Sequence, residues 1–311
     1  MSRTNFDALL DSGVHFGHLR RKWNPAMAPY IFMERNGIHI IDLYKTMAKV
    51  DEAAAALKQI AKSGKKVLFV ATKKQAKEIV AEHVKRVNMP YVTERWPGGM
   101  LTNFATIRKA VRKMISIDKL MSSPSYTNLS KKERLTITRE RAKLEKNLGS
   151  IADLNRLPAA IFIVDILKEK IALAEAKKLN IPTFAIVDTN SDPRTVDFPI
   201  PANDDASKSI SLIVDIMVRA IEEGLMERKF DRDKKVADDE RTEGEDTEFK
   251  VKSKVLEDIE EEEVDEDGIK IAKKDFVDTK VAKMKDMEVP EAEKAKPARK
   301  RISKPAAKSK K

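Results

Sequence analysis

Short apolar runs alternate with amphipathic segments between residues 38 and 224. Four runs of five or six residues are mostly apolar, at 38–43, 66–71, 159–164 and 183–187, and a weaker fifth run lies at 90–93. Such runs are typical of parallel strands that are covered on both faces. The segments between them repeat apolar residues every three or four positions, which predicts helices. The alternation therefore predicts a doubly wound, mostly parallel α/β sheet flanked by helices.

The last predicted helix can use Asp205 or Ser207 as its N-cap and is expected to stop at Gly224. An insertion interrupts the alternation over about residues 104–149. Apolar residues recur at three-four spacing on both sides of the polar turn SSPSYTNLS, which predicts a projecting antiparallel, coiled-coil-like helical hairpin. Its apolar seam is narrow, so we expect most of its charges to face outward.

The end of the chain has a different composition. Nine acidic residues fall within 257–267, and nine basic residues with no acidic one fall within 294–311. Blocks of this kind bury too little apolar surface to offset the entropy of ordering. We therefore predict an α/β domain over residues 1–233 and a charged, disordered C-terminal extension over residues 234–311.

The charge distribution favours a polyanionic partner. Lys and Arg number 61 against 50 Asp and Glu, a net charge of +11. Residues 104–149 alone hold 12 basic and 4 acidic side chains, a net of +8. An ordinary solvated helix face is the alternative for such a run, but a threefold excess of one sign favours contact with phosphates.

Two further observations limit the classes of function. The chain has no cysteine, which excludes disulfides, thiol catalysis and thiolate zinc sites and permits a reducing compartment. It has no apolar run of about 18 residues, and its N-terminal stretch lacks the apolar core of a signal peptide. We therefore expect a soluble intracellular protein.

The segment Thr72 to Gln75 is the best candidate for a small-ligand site. It follows a predicted strand and opens a helix, where backbone amides favour an anion. The chain nevertheless has neither a G-x-G-x-x-G nor a P-loop motif, and Gly98 and Gly99 do not follow a strong strand. A nucleotide- or sugar-phosphate-binding Rossmann-like enzyme remains an alternative.

A metal site is a second candidate. His15 and His18 are three residues apart and could share one face of a helical turn, with Asp188, Asp204 or Asp205 completing a zinc or magnesium site. Two histidines without cysteine are a weak signal, and the alternative is that both make structural hydrogen bonds or contact phosphate. No other cofactor is expected.

Nucleic-acid binding has several independent signals. RRKWNP at 20–25 and RWPGG at 95–99 each pair a tryptophan with cations, and the hairpin adds rows of lysine and arginine. Cations neutralise phosphates, and aromatic rings can stack on unpaired bases. Both tryptophans could instead be partly buried anchors. The candidate RNA-binding residues are Arg20, Arg21, Lys22, Trp23, Asn24, Lys73, Lys74, Arg95, Trp96, Asn103, Arg108, Lys109, Arg112, Lys113, Lys131, Lys132, Arg139 and Arg141. Gly98 and Gly99 are expected to turn the chain out of the sheet, and Thr102 or Asn103 to cap the first hairpin helix.

Several long stretches together resemble a known family. GVHFGHLRRKWNPAMAPYIFMERNGIHIIDLYKT (13–46), VLFVATKKQA (67–76), RWPGGMLTNF (95–104), LPAAIFIVDI (157–166) and the segment from IPTFAIVDTNSDP to VDFPIPANDDASKSI (181–210) closely resemble bacterial small-subunit ribosomal protein S2. The resemblance covers about residues 2–228. Pro97 stands where members commonly have leucine, and the extension beyond residue 233 is longer than in many members.

The resemblance implies a flavodoxin-like, Rossmann-like sheet domain with a protruding helical hairpin. It also implies a non-enzymatic, ribosome-bound cytoplasmic protein that binds small-subunit ribosomal RNA at the junction of head and body. Late joining in assembly and docking of ribosomal protein S1 are further implications. The expected partners are this RNA and neighbouring ribosomal proteins, with no membrane, no small-molecule substrate and no homo-oligomer. A free regulatory RNA-binding protein is a second alternative. For the extension, we expect residues 294–311 to add sequence-independent RNA affinity.

Overall fold

The computed structural model describes residues 3–126 and 128–261, with side chains described as far as residue 234. Residues 1–233 make up one compact unit. Within the described part the strands are β1 (Phe16–Leu19), β2 (Ile31–Arg35), β3 (Ile38–Ile41), β4 (Val67–Val70), β5 (Tyr91–Val92), β6 (Ala160–Val164), β7 (Thr183–Val187) and β8 (Phe198–Pro201). The α-helices are α1 (Phe6–Asp11), α2 (Leu43–Lys62), α3 (Lys74–Arg86), α4 (Phe104–Met121), α5 (Lys131–Leu148), α6 (Lys170–Lys178) and α7 (Ser207–Glu261).

The main sheet is parallel and has the strand order β5-β4-β6-β7-β8. Counted from its first strand this is the order 2-1-3-4-5, which confirms the predicted flavodoxin-like, doubly wound architecture. Every residue of β4, β6 and β7 is buried, because helices cover both faces. The order of the strands reverses between β4 and β6, and ligands of such folds bind at the carboxyl ends beside that point.

Alternate strand residues pack on opposite layers. Phe69 and Phe162 join a core shared with α1, α2, α3 and α7. Leu68 and Ile161 point to the other face, where α6 and the base of the hairpin cover them. The period of two along each strand therefore divides the apolar residues between two cores.

The predicted strand at 38–43 lies outside the main sheet. Residues 38–41 form β3, the centre of an antiparallel sheet of order β1-β3-β2, while Asp42 caps α2 and Leu43 begins it. Buried and half-buried residues alternate along β3, as expected for a sheet with one covered face. The fifth place in the parallel sheet belongs to β8, whose two prolines concealed its strand character; β8 is an edge strand, where proline is tolerated.

Helices α4 and α5 form the predicted hairpin. Val111, Met114 and Ile117 are buried along its seam. Ion pairs between Lys113 and Glu140 and between Arg141 and Asp118 join the two helices. Ser130 begins α5 with a reciprocal capping box to Glu133, which satisfies amides that the turn would otherwise leave unpaired.

Helix α7 continues through Gly224 as far as Glu261, so the prediction that it stops at Gly224 was wrong. A Cβ at this position would lie 2.4 Å from the Lys58 carbonyl oxygen. The glycine therefore allows α7 to pack closely on α2 rather than ending the helix. The predicted extension begins within α7, and residues 262–311, including the basic block at 294–311, lie outside the described residues.

Candidate RNA-binding surface and strand-end cluster

The basic segment at residues 20–23 is held against the main sheet. Gly17 lies so close to Thr189 that a Cβ would be 2.5 Å from its Cγ2. The His18 amide donates to Thr189 Oγ1 (2.8 Å), and the Asn24 amide donates to the Thr189 carbonyl (2.8 Å). Residue 189 follows β7 directly, so these contacts fix both ends of the basic segment to the carboxyl edge of the sheet.

Within this segment, Arg21 and Lys22 are exposed, and Arg20 lies 3.3 Å from Glu34 while remaining largely exposed. The Trp23 ring is 37% exposed and packs on the His39 ring at a centroid distance of 5.1 Å. One part of the ring is thus anchored and another part is accessible for stacking. Asn24 has a structural task instead, since its side-chain oxygen accepts from the Ala26 amide at 2.9 Å.

The hairpin presents cations of two kinds. Lys113 and Arg141 are engaged in ion pairs within the hairpin, and Arg108 donates to the carbonyl and side chain of Asn155. Several others, including Lys119 and Lys143, are exposed and have no acidic partner among the described residues, and five of these were predicted to bind RNA: Lys109, Arg112, Lys131, Lys132 and Arg139. Their charges are available to an external anion. The same holds for Lys74 at the start of α3 and for Arg95 before the loop that leads into α4.

The loop at residues 96–102 encloses a carboxylate of the protein itself. Glu175, on α6, accepts from Trp96 Nε1 (3.2 Å) and from the amides of Gly99 (2.8 Å), Leu101 (2.9 Å) and Thr102 (3.1 Å). Burial raises the pKa of Glu175, but these hydrogen bonds outweigh it and hold the pKa below its ordinary value. The loop therefore binds an anion, and that anion is the Glu175 carboxylate of the protein itself.

This arrangement corrects three expectations. Trp96 is 6% exposed and belongs to the core, so its ring is not accessible for base stacking. Gly99 has a φ of +82°, whereas Gly98 does not have a positive φ, so the turn requires one glycine rather than two. Asn103 occupies the N-cap position of α4 but makes no side-chain cap; its oxygen accepts from Thr106 Oγ1, and Thr102 contacts Glu175.

A cluster of charged residues lies at the carboxyl ends of the strands. Lys73 Nζ is 2.8 Å from Asp204 Oδ1, 2.6 Å from Asp205 Oδ1 and 3.6 Å from Asp165 Oδ2. Burial lowers the pKa of Lys73, but its contacts with Asp204 and Asp205 outweigh burial and raise it. Lys73 thus stays charged and contacts internal carboxylates, and its assignment as an RNA-binding residue stays a prediction.

His18 joins this cluster from β1. Its Nδ1 is 2.9 Å from Asp188 Oδ2, and its Nε2 is 3.5 Å from Asp205 Oδ2. His18, Asp188 and Asp204 each offer a ligand atom within 4.8 Å of the others. His15 is not part of this group, because it lies in the turn before β1, whereas His18 lies within the strand. His15 stacks on Phe16 instead.

The small-ligand candidate at Thr72 to Gln75 is likewise occupied by the protein. The Thr72 amide donates to Glu169 Oε1 at 3.2 Å, and the Thr72 hydroxyl contacts the same oxygen. Lys168 donates to the Thr72 carbonyl. The Glu169 carboxylate therefore already accepts from the Thr72 donors that a phosphate group would need.

Sequence reasoning missed Glu169, Glu175 and Thr189. An acidic residue in a predicted amphipathic helix is ordinarily assigned to the solvent-facing side, and Glu175 is the one acidic residue of α6. Its partners lie more than 70 residues away along the chain, so no local pattern marks it. In the described part, no helix is both long and apolar enough to cross a membrane.

The amino-acid sequence matches a known protein family and several of its members. Residues 9–224 match the family described as Ribosomal protein S2. The chain is 74% identical over 232 residues to the small ribosomal subunit protein uS2 of Phocaeicola vulgatus, covering 75% of this chain and 83% of that protein. The uS2 proteins of Porphyromonas gingivalis and Flavobacterium johnsoniae are 69% and 67% identical, over 75% and 74% of this chain and 83% and 91% of theirs.

Proposed function

Because the chain belongs to the ribosomal protein S2 family, we propose that it is a non-enzymatic constituent of the small ribosomal subunit and binds ribosomal RNA there. The observation that supports RNA binding most strongly is the set of exposed hairpin cations without acidic partners in the described part. Each can neutralise a phosphate and release its counterions, with no need to break an internal ion pair first.

The N-terminal basic segment gives a second contact of different chemistry. Arg21 and Lys22 supply charge, and the accessible part of the Trp23 ring can stack on an unpaired base. Contacts to Thr189 hold the segment on a rigid sheet edge, so little conformational entropy is lost when RNA binds. We extend the proposal to a position at the junction of head and body, to late joining in assembly and to docking of protein S1, on the strength of the family resemblance.

A charge-matched pair of variants tests the RNA contact of the hairpin. One variant changes Lys109, Arg112 and Lys132 to glutamine; the control changes Lys170, Lys177 and Lys178, three exposed lysines of α6. Both remove three positive charges. In a plot of log K for small-subunit RNA against log salt, the line of the hairpin variant should be less steep than that of the unaltered protein by roughly 2–3, because each phosphate contact contributes about 0.9 to the slope. The line of the α6 control should keep the slope of the unaltered protein. Equal slopes in the two variants would contradict the proposed surface.

Sedimentation tests the assignment to the ribosome separately. Tagged full-length protein should comigrate with small subunits in a sucrose gradient of cell lysate. A protein found only at the top of the gradient would instead be a free RNA-binding regulator. The hairpin variant should shift towards the top, and the α6 control should stay with the subunits.

A further inference from the structure

A cavity of about 570 Å³ lies between α3 and the first turns of α7. Its lining brings together a serine, a histidine and an aspartate: Ser211 and Asp215 from α7, and His83 from α3. Ser211 and Asp215 are four residues apart and so lie on the same face of their helix. Ile79 and Leu212 add apolar surface, and the volume is typical of pockets that take small molecules. The cavity thus combines a hydroxyl nucleophile with space for a small apolar group.

The three polar side chains are arranged as nucleophile, base and orienting carboxylate. The Ser211 hydroxyl is 3.3 Å from His83 Nε2, and His83 Nδ1 is 3.4 Å from Asp215 Oδ1. His83 Nδ1 is buried and makes no hydrogen bond to a described residue, so a proton on this nitrogen faces the Asp215 carboxylate. Nε2 is then left to accept from the Ser211 hydroxyl. Both distances are slightly long, as is common for such contacts before a substrate binds.

Neighbouring contacts hold this arrangement in place. Asp215 Oδ1 is 3.0 Å from Arg86, and Asp215 Oδ2 is 2.7 Å from Arg219, so the carboxylate is fixed on both sides and shares Oδ1 between Arg86 and His83. A serine within a helix can donate to the carbonyl four residues earlier. The Ser211 hydroxyl instead contacts His83 and no other described residue. Ser211 is half-buried, so a small molecule in the cavity can reach its hydroxyl.

We propose that Ser211 is a site of covalent acylation and takes the acyl group of a thioester or an activated ester. His83 Nε2 removes the hydroxyl proton as Ser211 Oγ attacks the carbonyl carbon and forms a carbon–oxygen bond. The bond from that carbon to the leaving group then breaks, and the leaving thiolate or alkoxide takes the proton from His83. The products are an ester on Ser211 and a free thiol or alcohol. One acyl group per chain is a modification rather than turnover, which is compatible with a non-enzymatic protein.

The test incubates the full-length protein with p-nitrophenyl acetate and locates the acetyl groups by peptide mass spectrometry. Neutral hydroxylamine cleaves the ester expected on Ser211 but not the amides formed on lysines such as Lys208, which lines the same cavity. We expect Ser211 to react at least about 100-fold faster than Ser207, a serine of the same cavity without a hydrogen-bonded histidine among the described residues. His83→Gln should remove this advantage, whereas Ser207→Ala should leave the rate at Ser211 unchanged.

A control without substitutions uses the unaltered protein unfolded in guanidinium chloride. Ser211 should then react no faster than Ser207, because its contact with His83 requires the fold. Thermal unfolding shows whether His83→Gln is folded at the assay temperature, and His83→Asn takes its place if it is not. Three results would overturn the proposal: no hydroxylamine-sensitive acetyl group on Ser211, equal rates at Ser211 and Ser207 in the folded protein, and an undiminished rate at Ser211 in a folded His83 variant.

Discussion

Replacing Glu175 with glutamine should destabilise the protein far more than an ordinary change on a helix. Oε1 accepts from Trp96 Nε1 and the Gly99 amide, and Oε2 accepts from the amides of Leu101 and Thr102. A glutamine has one acceptor oxygen, so its NH₂ group must face one of these two pairs of donors. At least two N–H groups are then left unpaired, one from a buried hydrogen bond and one from a part-buried one.

Each unpaired donor costs about 1–3 kcal/mol, so the free energy of unfolding should fall by roughly 2–5 kcal/mol. For a domain of this size that corresponds to a drop of about 5–15 °C in the unfolding temperature. Denaturant and thermal unfolding of the full-length protein measure both quantities. Glu222→Gln is the matched control, because Glu222 is half-exposed and its ion pair with Arg86 spans 3.8 Å.

The pH dependence gives an independent check. The pKa of Glu175 is lowered on folding, so its ionised form stabilises the protein above the unfolded value of about 4.3, and this contribution is lost as the pH falls through the folded pKa. The difference between the unaltered protein and Glu175→Gln should therefore be full at pH 7 and shrink below about pH 4. A loss of under about 1 kcal/mol at pH 7, equal to that of Glu222→Gln, would refute the idea that the loop depends on this carboxylate.

Three further substitutions test single contacts. Gly99→Ala should lower the free energy of unfolding by about 1–2 kcal/mol because Gly99 has a φ of +82°. Gly98→Ala, with no heavy atom within 4 Å of the added Cβ, should change it by less than about 0.5 kcal/mol. Thermal unfolding compares the two, and equal effects would contradict the conclusion that the turn requires glycine at position 99 alone. Gly17→Ala should cost about 1–3 kcal/mol in the same assay, since its Cβ would meet Thr189 Cγ2 at 2.5 Å, and unchanged stability would show that the contact can relax. Trp23→Ala should weaken RNA binding about 5- to 100-fold, measured by filter binding; a loss of stability with unchanged affinity would mean that the ring is only an anchor.

The sequence predicts the parts of this fold that follow a local period. The buried strands, the helices between them and both helices of the hairpin all follow from apolar spacing. The assignment of residues 38–43 to the main sheet was wrong because an apolar run does not reveal which strand will pair with it. β8 was missed because proline-rich FPIP lacks the composition of a strand, although proline is tolerated at an edge.

The candidate site is predictable only in part, for a similar reason. Exposed cations on the hairpin can be expected from a narrow apolar seam, and the structure places Lys109, Arg112 and Lys132 at the surface. Whether a given cation is free depends on partners from distant segments, as the contacts of Lys73 with Asp165 and Asp204 illustrate. Trp96 and Trp23 occur in similar local sequences, yet only tertiary packing distinguishes the buried ring from the accessible one.

A doubly wound sheet ordinarily offers two places for a phosphate group: the strand ends at the switch point, and a glycine turn before a helix. In this chain the protein's own carboxylates fill both. Glu169 accepts from Thr72 at the start of α3, and Glu175 accepts from the loop amides around Gly99. Anionic side chains in these places repel a small phosphate ligand while they stabilise the two loops. Apart from Lys74 and Arg95, the predicted RNA-binding cations that have no acidic partner in the described part lie on the hairpin and beside β1. The cations available to an external anion thus lie mainly on an extended surface and not at the strand ends. Such a surface can contact several phosphates of one polymer, which favours an RNA partner over a nucleotide.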